Sequence, residues 1–187
     1  MAPETLDARN QVANAVKHAS ADGTREAEAL YRSLLEDRRT VLGPDHLDTL
    51  ITEHNLALAI FLQAKAETDP ARRQSLLEQA LAIESETWRR TEAAVGRGHD
   101  QALAAGSETA AILVTLGRLE EAERIYADIV PLMSDRLGAS HWRTRTTLAN
   151  HGRLLLKAGR LDRAVPVLDQ ALAAVHARAV LLAAESS

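Results

Sequence analysis

Glycine and histidine stand in the same relation three times in this chain. LGPDHLDTL (Leu42–Leu50), VGRGHDQAL (Val95–Leu103) and LGASHWRTR (Leu137–Arg145) each carry Gly second and His fifth. Such a pair is either a site or the punctuation of a repeat, and a repeat restricts the fold more than composition does. His99 and His141 lie 42 residues apart, His46 and His99 53 apart. One period with an 11-residue excess accounts for both.

Internal anchors support the period. Small residues sit twelve apart in Ala15 and Ala27, Ala110 and Ala122, and Gly152 and Ala164. One helical turn after the second of each pair come Tyr31, Tyr126 and Leu168. Gly117 and Gly159 fall between the pairs, where glycine allows one helix to stop before the next begins. In the second unit Ala57 takes the first small position, and LLEQAL there matches VLDQAL at Val167–Leu172. That alignment sets Arg73 where the other units have alanine, so the hairpin should splay or shift register. The 11 extra residues then divide into four in the turn and seven in the second helix. Seven residues are about two helical turns, so the buried face is kept. Thr68-Asp69-Pro70 reads as a loop followed by a helix start.

Each unit is therefore a helical hairpin with a small residue at its crossing, because helix axes pack about 8–10 Å apart and the close end of that range leaves little room for side chains. One hairpin cannot bury both faces, so the units must stack. Helices are expected over 4–20, 24–42, 46–65, 70–94, 99–116, 119–137, 141–158 and 161–183. Pro131 should kink the sixth. The core must be mainly aliphatic: 46% of the 187 residues are hydrophobic and only 3% aromatic.

With these residues in place the chain resembles the tetratricopeptide repeat (TPR) proteins, of the long, kinesin-light-chain-like type. The Ala, Gly, Ala, Tyr spacing, LGPDHLDTLITEHNLA and LGRLEEAERIYADI carry the likeness, which spans nearly the whole chain. It implies an all-α fold: a right-handed α-solenoid superhelix of about four hairpins, one domain over 1–187, with repeats near 4–42, 46–94, 99–137 and 141–183. It also implies a non-enzymatic module that binds an extended peptide or protein segment in a concave groove lined by the first helices. Carried onto this chain, the groove positions are His54, Asn55, Leu58 and Leu62 in the second unit. Ser107, Glu108, Ala111 and Thr115 follow in the third, and Ala149, Asn150, Arg153 and Lys157 in the fourth. Asparagine suits the task because its amide both donates and accepts to a peptide backbone. Glu108 and Ala13 interrupt an asparagine ladder at this position. Arg153 and Lys157, one turn apart, would select acidic side chains or a carboxylate.

Other chemistries find little support. The linker histidines occupy equivalent repeat positions about 10 Å or more apart, whereas zinc ligands must each sit within about 2.1 Å of the metal. They are expected to cap the next helix or bond the linker backbone. No cysteine, GxSxG or strand-borne phosphate loop is present, so a metal-dependent hydrolase is only a remote alternative and no cofactor is implied. Net charge is −4, divided as −8 over 1–140 and +4 over 141–187. That leaves no extended positive face for nucleic acid. No apolar run has membrane-spanning length, the N-terminus is polar, and the expected location is the cytoplasm. Alanine richness points to a bacterial source. Finally, Ala164–Ala184 is apolar on more than one face, which makes self-assembly through the last helix the alternative function.

Overall fold

The structure, a computed structural model, describes residues 3–17 and 21–185, with side chains described for 5–17 and 23–173. Among these it contains eight helices and no strand. They are α1 (Pro3–Lys17), α2 (Ala21–Val41), α3 (Leu47–Ala66), α4 (Pro70–Val95), α5 (Asp100–Thr115), α6 (Leu119–Leu137), α7 (Trp142–Lys157) and α8 (Leu161–Glu185). The chain is all-α, a solenoid fold of four hairpins. It divides into two compact units, Met1–Arg97 and Gly98–Ser187, with two hairpins in each.

The repeated Gly and His act as stop and start signals. Gly43, Gly96 and Gly138 have φ of 94°, 89° and 86°, a region that L side chains rarely enter. Three residues later, Nδ1 of His46, His99 and His141 accepts from the backbone N–H of Asp48, Gln101 and Arg143, each at 3.2 Å. The donor requires a lone pair on Nδ1, so each capping ring carries its proton on Nε2. Asp69 caps α4 through the Arg72 N–H at 2.7 Å, with Pro70 just inside the helix.

In unit 1, α1 pairs with α2, α3 packs on α2, and α4 packs on α3. Tyr31, Leu34, Leu50, Ile60 and Leu77 fill the core. Two charged groups knit the layers together. The guanidinium of buried Arg38 donates to Asp48 O (2.7 Å), Thr52 Oγ1 (2.8 Å) and Asp7 Oδ1 (2.5 Å), joining α1, α2 and α3. Buried Glu53 accepts from Arg39 and Arg90, both at 2.8 Å, and from Thr87 at 3.3 Å, joining α3 to α2 and α4.

Unit 2 repeats the order, α5 with α6, α7 on α6 and α8 on α7, around Leu103, Ile112, Tyr126, Ile129, Met133, Leu154 and Leu155. A Cβ added to Gly152 would overlap the side chain of Leu168, so the helices cross where the small residue was expected. Glu123 of α6 pairs with Arg160 and Arg163 at the start of the last hairpin's second helix. Pro131 lies inside α6, which runs unbroken from Leu119 to Leu137.

Three expectations are corrected. The first small residue of unit 1 is Ala13, fully buried, and not Ala15, which is exposed. Leu6, seven residues before it, is buried as are Leu50 and Leu103, seven before Ala57 and Ala110. Gln11, not Ala13, therefore occupies the position of Asn55. Second, the turn between α3 and α4 is no longer than the others. The four extra residues extend α3, which has 20 residues against 16 in α5, and the seven extend α4, which has 26 against 19 in α6. Third, Arg73 does not splay the hairpin. It is exposed, and its guanidinium bonds the Glu67 carbonyl at 3.0 and 2.7 Å, while Leu77, Ala80 and Leu81 bury the α4 face.

Candidate functional site

The candidate surface is the wall formed by the first helices of the hairpins, α1 and α3 in unit 1, α5 and α7 in unit 2. On α3, residues 54, 55, 58 and 62 fall on one side by helical spacing. His54 Nδ1 lies 2.7 Å from Glu84 Oε1 on α4, and Glu84 is wholly buried. Burial pushes the Glu84 carboxyl above the usual carboxylate range, and His54 opposes that shift. His54 is thus one half of a pair between helices. Asn55 Nδ2 donates to Asn10 Oδ1 across to α1 at 3.4 Å, and Leu58 and Leu62 are half-buried. Asn14 of α1 accepts from the Tyr31 hydroxyl at 2.7 Å, and burial raises that hydroxyl to a pKa of about 12.

In unit 2 the wall centres on Tyr126. Burial raises its hydroxyl pKa and the charge of Glu108 raises it further, while Arg153 and a hydrogen bond with Asn150 act in the opposite direction. Asn150 of α7 thus bonds the phenol, and the charges of Glu108 on α5 and Arg153 on α7 lie near enough to act on it. Arg153 also donates to Asn150 Oδ1, which holds the amide in place. Lys157 reaches the carbonyl of Val114 at 3.3 Å, and Ser107 and Thr147 share a hydroxyl bond at 3.1 Å. Both Arg153 and Lys157 are exposed. Of the predicted residues, His54, Asn55, Leu58 and Leu62 share one side of α3, Arg153 is bonded to Asn150 on α7, and Lys157 lies apart on the Val114 carbonyl.

Sequence reasoning missed two features. A cleft of about 720 Å³ opens between α2 and α4, floored by Leu35, Leu56 and Ile83. Its size is that of a small-molecule pocket, but the arginines on its walls are already paired, Arg32 with Glu28 and both Arg39 and Arg90 with Glu53. The second is His151, stacked on Tyr126 with ring centroids 5.6 Å apart. Burial and then the charge of Arg163 hold its pKa down. Among the described residues no group of three or more His, Asp or Glu is placed to hold a metal ion, and no helix is long and apolar enough to cross a membrane.

This arrangement matches known proteins. Two family models, each described as tetratricopeptide repeat, match residues 5–48 and 98–175. The chain belongs to the tetratricopeptide repeat family. Its TPR units are of the long, kinesin-light-chain-like type. Two crystal structures of a Podosopora anserina kinesin light chain with nearly identical TPR-like repeats superpose with TM-scores of 0.70 and 0.69 at 22% identity. They cover 94% and 95% of this chain and 76% and 77% of theirs. BtubC (BKLC) of P. vanneervenii gives 0.63 at 21% identity, over 91% of this chain and 69% of its own. No curated protein sequence matches the chain. A TPR fold is that of a protein-protein interaction scaffold, typically without enzymatic activity.

Proposed function

We propose that this TPR protein is a non-enzymatic module, acting in the cytoplasm as one four-hairpin domain, that grips an extended peptide along its first-helix walls. The observation that carries the reading is the pair of exposed cations on α7, Arg153 and Lys157, one turn apart beside the amide of Asn150. An amide held at a fixed orientation can bond a peptide backbone, and two cations at that spacing can receive an acidic side chain or a terminal carboxylate. Asn55 offers the matching amide in unit 1, and Leu58 and Leu62 give half-buried apolar contact. A peptide array probed with the purified chain tests this. Changing Asn55, Asn150, Arg153 and Lys157 to Ala should abolish binding of extended acidic peptides while the far-UV circular dichroism stays unchanged. Undiminished binding would overturn the assignment.

A second reading is self-association through α8. It is favoured by Leu161, Val165 and Leu172, which are 62%, 56% and 53% exposed although apolar. The rest of the apolar stretch that prompted it, residues 174–184, lies outside the described side chains.

A further inference from the structure

We propose that Tyr126 and Asn150 are positioning residues for Arg153: the buried phenol fixes the amide, the amide fixes the guanidinium, and the guanidinium receives a carboxylate of the bound peptide. The inference rests on the groove reading and gives Asn150 a different part in it, acting through Arg153 and not on the peptide backbone.

The contacts run from the core outward. Tyr126 of α6 is 1% exposed, and His151 of α7 stacks on its ring, so packing holds the phenol in place. Asn150 bonds that hydroxyl in the sense that favours the phenolate, which makes the amide N–H the donor and the phenol oxygen the acceptor. The other end of the amide is engaged as well. Asn150 Oδ1 accepts from Arg153, three residues on and so on the same side of α7. Nitrogen and oxygen of the amide are thus both spent within the wall, and the exposed end of the series is the guanidinium. A long, flexible arginine loses torsional freedom when it closes on a carboxylate. One that is already held loses less, and the bond it makes is correspondingly tighter.

Unit 1 builds the same three groups and shows what exposure adds. The Tyr31 hydroxyl donates to Asn14 Oδ1 at 2.7 Å. Lys17, again three residues after the amide, donates to that oxygen at 3.4 Å, with its ammonium 5.7 Å from the centroid of the Tyr31 ring. Lys17 is only 5% exposed, so there phenol, amide and cation form an internal tie. In unit 2 the phenol is equally buried, but the cation stands at the surface. A rigid anchor beneath an exposed charge is the arrangement that a receptor for a carboxylate requires.

A double-mutant cycle on affinity tests this, read by fluorescence anisotropy with two labelled peptides. One is an extended acidic peptide selected on the wild-type chain, the other its counterpart with every Asp and Glu changed to Asn and Gln. Asn150→Ala and Tyr126→Phe should each weaken the acidic peptide about three- to tenfold, the gain from holding one long side chain in place. Neither should cost anything further in an Arg153→Ala background, and neither should change the affinity of the amide counterpart. Losses that add to that of Arg153→Ala, or that are equal for the two peptides, mean that Asn150 grips the ligand itself or only supports the fold, and they overturn the inference. If Arg153→Ala leaves the acidic peptide bound as tightly as before, the groove reading falls and the inference with it. If Arg153→Ala weakens binding while Asn150→Ala and Tyr126→Phe do not, the groove reading stands and the positioning role is wrong. Should Tyr126→Phe unfold, as circular dichroism will show, the Asn150 arm of the cycle decides by itself, since that residue is only half-buried.

Discussion

Unit 1 and unit 2 use the same hairpin plan but place their charges differently. Unit 1 spends them inside: Arg38 ties three helices, Glu53 holds two arginines, and Glu84 is wholly buried against His54. Unit 2 leaves Arg153 and Lys157 on its wall. A charge committed to an internal partner has little left for a ligand, because re-pairing it costs the desolvation already met in folding. Unit 2 also buries one carboxylate, Glu123, against Arg160 and Arg163, so the difference between the units lies on the wall, where unit 2 presents two exposed cations and unit 1 presents Asn55 with half-buried Leu58 and Leu62.

The largest expected effect breaks unit 1. Arg38→Ala removes a buried guanidinium and its hydrogen bonds to Thr52, the Asp48 carbonyl and exposed Asp7, and should cost about 3 kcal/mol, the upper end for lost hydrogen bonds to a charged group. Chemical denaturation followed by Trp88, in a Trp142→Phe background, reads this in unit 1 alone. Gly152→Leu attacks unit 2 at its tightest crossing, where even a Cβ overlaps Leu168, and should cost roughly 1–3 kcal/mol, read by Trp142 with Trp88→Phe.

Smaller effects sharpen the comparison. The two units should respond to pH with opposite sign. Burial depresses the His151 pKa, so the unfolded chain takes up that proton more readily; its contribution to unit 2 is complete above about 6.5 and is lost as pH falls below that value toward the depressed folded pKa. Glu84 is raised instead, so unit 1 gains as pH falls from neutrality toward the carboxylate range. His151→Gln should flatten the acid slope of the Trp142 transition and leave the Trp88 transition unmoved. The smallest effect is a cap: His99→Ala should cost about 1 kcal/mol, and His99→Asn should recover most of it.

What could be read from sequence was local. Each linker histidine caps the helix that begins at the next residue, and the small, Gly, small, aromatic spacing lies within one hairpin, so helices and caps followed from short-range pattern. The errors came where local pattern is degenerate. Ala13 and Ala15 are both alanine, and only packing shows which one faces the core. Residues can be added to a helix or to a turn without changing the repeat length, so the four extra residues beside α3 were misplaced. The His54–Glu84 pair joins residues 30 apart in sequence, and nothing in either neighbourhood marks them as partners.

The central claim is that the cations of α7 do the recognising. Fluorescence anisotropy with a labelled extended acidic peptide, selected on the wild-type chain, tests it by comparing wild type with Arg153→Ala/Lys157→Ala. The double variant should lose at least about tenfold in affinity, or 1.4 kcal/mol, and most of its salt dependence. Equal affinity and an unchanged salt slope would show that recognition lies elsewhere on the molecule.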